Sequence, residues 1–284
     1  MTQVHVQRKD AVAVITINPP DEFMTDITVT ELGLVTAELD GDESCRAMVF
    51  TGGSEGVFIR HFSVKQLEEL SDKLRERGLH FSEKKPLTKD REIDVLFRRL
   101  ATTPKITIAA INGFAMGGGF EFCLSCDLRI AQDGQFHLGL PEAKLGILPG
   151  AGGTQKLSRL VGQARALEMV TRGRTVAPGE ALDLGMVHEV TDGPVMPRAM
   201  ELAHDYAAIA PKAFAHIKRL IRQEMEKPLK EGLIMERTLF LDLLVSDDAS
   251  KLMKRMNRDD LDIRDVPQGQ YCTFRRLLCI CRNF

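Results

Sequence analysis

One ten-residue run, Asn112-Gly-Phe-Ala-Met-Gly-Gly-Gly-Phe-Glu121, constrains the fold of this chain more than any other feature. It follows Ile106 to Ile111, a β-branched stretch suited to a buried strand, and Asn112-Gly113 is a pair that ends strands. Three glycines then allow a tight turn and a close backbone approach, and a short helix is expected through about Leu124. The first amides of a helix have no partner within it and sit at the positive end of its dipole. Such amides suit a developing oxyanion, and Glu121 stands one turn into the helix. Taken alone, the glycines signify only tight packing of a turn on a sheet, and Glu121 only a helix N-terminal charge. The chemistry gains weight from the rest of the chain.

Around this run the pattern alternates strand and helix, which points to βαβ units. Val12 to Ile17 reads as a strand closed by Asn18-Pro-Pro-Asp21, a helix follows from about Ile27 to Leu39, and Ala47 to Thr51 is a short strand ended by Gly52-Gly53. Two helices are expected at about Val64 to Arg77 and Glu92 to Leu100, with a mobile loop between them over Gly78 to Arg91. A further strand is expected at Leu128 to Ala131. Beyond the glycine-rich segment Leu148 to Gln155 the chain reads as mostly helical, with one short strand near Val187 to Val190. Pro197, Pro211 and Pro228 each introduce a helix-length segment.

At 284 residues the chain suffices for one large domain or a main domain with an appendage. Its net charge of -2 gives no basic field for counterion release, which argues against a nucleic-acid partner. No apolar stretch approaches the ~20 residues needed to span a bilayer, and no targeting peptide is visible. The six cysteines lack paired-ligand spacing, so no metal site is expected and a reducing, cytoplasmic setting is. Cys123 and Cys126 read as core residues, and the twelve methionines as packing.

From Lys105 to Val190 the chain resembles the crotonase (enoyl-CoA hydratase/isomerase) superfamily. The motifs that carry the resemblance are Asn112 to Glu121, Cys126-Asp127, Leu140-Pro-Glu142, and Gly146-Ile-Leu-Pro-Gly-Ala-Gly-Gly-Thr-Gln155, all in the family's order and spacing. A weaker likeness extends over most of residues 4 to 260. The resemblance implies an α/β fold: a spiral of ββα units over residues 1–195, a helical oligomerisation region over 196–266 that builds a homotrimer or homohexamer, and a tail of unknown role over 267–284. It also implies an enoyl-CoA hydratase-like lyase that adds water across a 2-enoyl thioester. Coenzyme A would be part of the acyl-CoA substrate, with no tightly bound cofactor. Glu121 and Glu142 match the family's catalytic carboxylates, and the backbone N–H groups of Gly118 and Phe62 match its oxyanion donors. Two carboxylates sharing one small cavity tend not to ionise together, which splits them into a base and an acid. Retention of both favours hydration over isomerisation.

The chain departs from the family at Arg60-His61, where the oxyanion loop has Ala-Gly, and in the segment Pro19 to Thr25. Arg60, His61, Val64 and Met24 are expected to meet the substrate or its coenzyme A portion. Arg60 is expected to contact a phosphate. His61 is either a half-buried histidine bonded to backbone or an additional acid–base group, as in superfamily members that hydrolyse carbon–carbon bonds. A catalytically silent binding protein on the same fold is the remaining alternative.

Overall fold

The computed structural model describes residues 2–265, so the expectation for the 267–284 tail lies outside the described residues. The chain begins with β1 (Val4–Lys9) and β2 (Val12–Ile17), then α1 (Asp26–Gly41). Thr25 caps α1 in a reciprocal box with Thr28, which satisfies two otherwise orphaned amides.

Three strand pairs follow, and each is succeeded by helix. The first is β3 (Ala47–Gly52) with β4 (Gly56–Ile59), leading into α2 (Val64–Glu76) and α3 (Glu92–Thr102). The second is β5 (Ile106–Ile111) with β6 (Gly113–Met116), leading into α4 (Gly118–Ser125). The third is β7 (Leu128–Gln132) with β8 (Leu138–Gly139), leading through a 3-10 turn at Glu142–Leu145 into α5 (Gly153–Val161) and α6 (Gln163–Thr171). The chain continues through β9 (Thr175–Val176), α7 (Pro178–Asp183), β10 (Glu189–Thr191), α8 (Val195–Ala207), α9 (Pro211–Arg222), α10 (Leu229–Leu244) and α11 (Asp247–Arg258).

In each pair the first strand joins a six-stranded sheet, ordered β1-β2-β3-β5-β7-β10, and the second joins a four-stranded sheet, ordered β4-β6-β8-β9. This is the ββα spiral the motifs imply. Apart from the antiparallel β1–β2 pair, the larger sheet is parallel. Parallel strands are covered on both faces, which is why β3 and β5 read as continuous apolar runs. Their alternate residues divide accordingly. Val49, Ile108 and Ala110 face α8, while Met48, Phe50, Ala109 and Ile111 face the main core.

Every residue of α4 is buried, as expected of a helix apolar on all sides. Phe122 of this helix meets Phe50, Phe58 and Phe97 with ring centroids 5.1 to 5.9 Å apart, so the catalytic-candidate helix is held by aromatic packing. Edge-to-face contacts of this kind contribute ~0.5–1.5 kcal/mol each beyond area burial.

Periodicity did not show the four-stranded sheet strand by strand, because β8 and β9 are two residues long. The pins that join the two sheets are side chains. Asn112 Oδ1 accepts from the Gly52 amide at 2.9 Å, and Nδ2 donates to the carbonyls of Gly52 and Ser54. One amide thus fastens the β3–β4 crossover to the β5–β6 crossover. Asp127 does similar work further on: it accepts from the Thr107 amide and hydroxyl and from Lys218, a buried lysine of α9. Cys123 and Cys126 are fully buried free thiols within the core.

Candidate active site

The candidate oxyanion loop, residues 58–63, is fixed from both sides. Met24 N–H donates to the His61 carbonyl at 2.9 Å, and Ser63 N–H donates to the Met24 carbonyl at 2.8 Å. With both flanking groups engaged by Met24, the Phe62 N–H between them is turned away from it. On the other side Met116 N–H donates to the Arg60 carbonyl. Gly119 is required here, since a β-carbon on it would lie 2.2 Å from the Ile59 carbonyl oxygen. That close approach brings Gly118 against Phe62, with a β-carbon on Gly118 falling 3.6 Å from the Phe62 nitrogen. Gly118 opens α4, so its N–H has no intrahelical acceptor. Two amides from separate elements, neither with an acceptor among the described residues, therefore converge.

Glu121 lies one turn into α4 and is 3% exposed. Its Oε1 accepts from the Ala151 and Gly153 amides at 2.7 and 2.8 Å. Burial raises its pKa, while those two hydrogen bonds and the nearby Lys156 and Arg91 oppose the rise. Glu142 differs. It begins the 3-10 turn, and its Oε2 is buried without a hydrogen-bonding partner among the described residues. Burial, with a further contribution from the Glu121 charge, pushes its pKa up to about 7. Burial thus disfavours the anion of both carboxyls, but Glu121 has two amide donors to oppose the rise while Glu142 titrates near 7, an unequal pair of the kind acid–base chemistry uses. Gly117, at a φ of 51°, is the hinge between them: a β-carbon there would come within 3.1 Å of Glu142 Oε1 and 3.6 Å of His61 Cβ.

The remaining sequence candidates are disposed around this centre. Arg60 donates through Nε and Nη2 to Glu22 Oε2, at 3.1 and 2.7 Å, and lies over the Phe114 ring. The base expected to bind a phosphate is therefore already paired with an acid of the divergent Pro19 to Thr25 segment. His61 is half-buried, its ring 4.5 Å from that of Phe23, with Nδ1 2.8 Å from the Phe62 carbonyl oxygen. The Met24 side chain is fully buried in the core, so Met24 reaches the site only through its backbone. Val64 is exposed at the start of α2.

Sequence reasoning missed the supports of Glu121. Arg91 donates to the Gly150 carbonyl at 2.5 Å and pairs with Asp94, which ties the start of α3 to the loop whose amides hold the carboxylate. Lys156 Nζ donates to Ser125 Oγ at 2.7 Å and lies over the Phe97 ring. The glycine-rich Gly146 to Gln155 motif was the available signal, because a backbone that folds round a carboxylate needs residues without bulk. No group of three His, Cys, Asp or Glu residues suited to a metal ion occurs among the described residues.

The family model for enoyl-CoA hydratase/isomerase matches residues 7–258. The short-chain-enoyl-CoA hydratase of Clostridium acetobutylicum is 32% identical over 260 residues, covering 89% of this chain and 94% of that protein. The crystal structure of an enoyl-CoA hydratase subunit from Geobacillus kaustophilus superimposes with a TM-score of 0.79 at 31% identity, covering 94% of this chain and 98% of that one. Pseudomonas aeruginosa DspI superimposes with a TM-score of 0.80 at 30% identity, covering 95% and 97%.

Proposed function

The chain belongs to the enoyl-CoA hydratase/isomerase family, and from that premise we propose that it hydrates a 2-enoyl-CoA. The observation that carries this reading is the unequal pair of carboxyls beside two convergent free amides. The thioester carbonyl would accept from the Phe62 and Gly118 N–H groups. Glu121, ionised and oriented by Ala151 and Gly153, takes a proton from water as its oxygen bonds to the β-carbon. The π electrons move onto the carbonyl oxygen, where the two amides stabilise the enolate. Each such donor contributes about 3–4 kcal/mol. Collapse of the enolate takes the proton of Glu142 onto the α-carbon, and proton exchange with solvent resets the pair.

An isomerase needs only one carboxyl to carry a proton between carbons. The two amides fixing Glu121 give it a defined position that such a reaction does not require, which favours the lyase. Hydrolysis using His61 is disfavoured by the ring's engagement with Phe23 and the Phe62 carbonyl. Coenzyme A recognition by Arg60 would proceed by exchange of its Glu22 partner for a phosphate. At roughly a third exposure on each side, such a pair contributes ~1 kcal/mol or less, so a phosphate can compete. Residues 196–266 would assemble the trimer or hexamer.

The test is turnover of a short 2-enoyl-CoA followed by loss of its conjugated absorbance. Wild type is expected to hydrate it, and Glu121→Gln to retain the fold with turnover reduced at least ~100-fold. Wild-type inactivity on short and long enoyl chains alike would overturn the reading and favour a silent binding protein.

A further inference from the structure

Near the C-terminal end of α4, a cavity of about 170 Å³ is lined by Leu124, Arg129, Lys156, Arg159, Leu160 and Arg222. Four of the six lining residues are cations, drawn from β7, α5 and α9. At ~30 Å³ per water, the space holds several waters or one small hydrated ion. It adjoins a larger cleft of about 510 Å³ that shares Arg159 with it, so the pocket has an approach from solvent. The hydration chemistry above uses none of its guanidinium groups.

Concentrated positive charge in a confined space is costly unless balanced. Arg129 is only 4% exposed, and its donors are partly spent: Nε on the Met186 carbonyl and Nη1 on the Cys126 and Cys123 carbonyls. Its Nη2 donates to none of the described residues. Arg222 uses Nη2 on the Cys126 carbonyl and on Asp127, which leaves Nε and Nη1 without acceptors among the described residues. Lys156 reaches Ser125 Oγ. Arg159 pairs with Glu226, more than half exposed on both sides, a contact worth ~1 kcal/mol or less. The acids do not offset this set. Asp127 is shared with Lys218, and Glu121 and Asp94 act on Lys156 from the catalytic side, where Arg91 balances them. Burial above all, with a smaller effect of the neighbouring Arg222, lowers the pKa of Arg129 and of Lys156, so the cationic forms are under-solvated here.

We propose that this pocket is a binding site for a small tetrahedral oxyanion of the inorganic phosphate or sulfate class, held by Arg129, Arg222, Arg159 and Lys156. Planar guanidinium groups present paired N–H donors that match such an anion, and a half-buried setting strengthens each charge-assisted bond. The ligand would bridge β7, α5 and α9, fastening the last of these to the spiral.

The site is tested on the full-length protein in an anion-poor buffer by calorimetric titration with inorganic phosphate, sulfate, acetate and chloride at matched ionic strength. Phosphate and sulfate are expected to bind with one site per chain, and phosphate to raise Tm where chloride does not. Arg159→Gln, whose side chain is exposed and whose loss spares the core, should weaken phosphate at least ~10-fold, and Arg222→Gln should do the same. The enoyl turnover of Arg159→Gln is expected to match wild type, so failure of the hydratase reading and failure of this one are separately visible. No phosphate heat beyond chloride, acetate binding as tightly as phosphate, or unchanged affinity in Arg159→Gln and Arg222→Gln would each overturn the assignment.

Discussion

Replacing Glu142 by Gln separates the electrostatics of the site from its catalysis. In the folded chain the Glu142 carboxyl titrates near 7 because burial disfavours its anion, and its Oε2 has no donor among the described residues to offset that. In the unfolded chain it titrates near the ordinary glutamate value of ~4.3. A raised folded pKa means the native state binds this proton more tightly, so the associated stability is fully present below ~4.3 and is lost as pH rises through about 7. The linkage ceiling over that interval is about 3.7 kcal/mol at 1.36 kcal/mol per unit, and solvent screening at a half-buried group reduces it to ~1–2 kcal/mol. Gln cannot titrate. Whatever its fixed packing cost, Glu142→Gln should therefore gain ~1–2 kcal/mol on wild type between pH 5 and pH 8.5, roughly 2–5 °C in the difference of Tm values. The assay is scanning calorimetry of both proteins at the two pH values. Over the same range the wild-type kcat should decline above about pH 7 as the general acid loses its proton, and the variant should be at least ~100-fold slower throughout. A Tm difference that does not move with pH would refute the burial argument, whatever the activity shows.

Three further outcomes follow from the geometry. Gly117→Ala forces a side chain into a positive φ within 3.1 Å of Glu142 Oε1, so urea unfolding should show a loss of ~1–3 kcal/mol, and steady-state kinetics a kcat reduced more than tenfold. Arg91→Ala frees the Gly150 carbonyl and loosens the amides on Glu121; kcat is expected to fall about tenfold with KM changed less than twofold, whereas a purely stabilising role would leave kcat intact. Sedimentation velocity should find a trimer or hexamer, and a charge placed at Phe240 or Val245, both exposed apolar residues at the end of α10, should shift it toward smaller species.

Much of the larger sheet was legible from the chain alone. Val12–Ile17, Ala47–Gly52 and Ile106–Ile111 are apolar runs of strand length bounded by turn residues, and burial on both faces is what makes such runs continuous. The Gly117–Gly119 turn and Glu121 were equally visible, since a helix that begins on glycines and carries an acid in its first turn has a distinctive spelling. The smaller sheet was not, because two-residue strands such as β8 and β9 have no period to read and are defined only by their partners. The same holds for the pairing of Arg60 with Glu22, which are 38 positions apart, and for the hold of Ala151 and Gly153 on Glu121, which are 30 and 32 apart. The amino-acid order determined which groups are present, their chemical types and the local turns that expose them. Tertiary structure alone decided how unequally the two carboxyls are held, because a pKa depends on burial and on donors that arrive from distant parts of the chain. Glu121 meets two amides there, and Glu142 Oε2 meets no donor among the described residues.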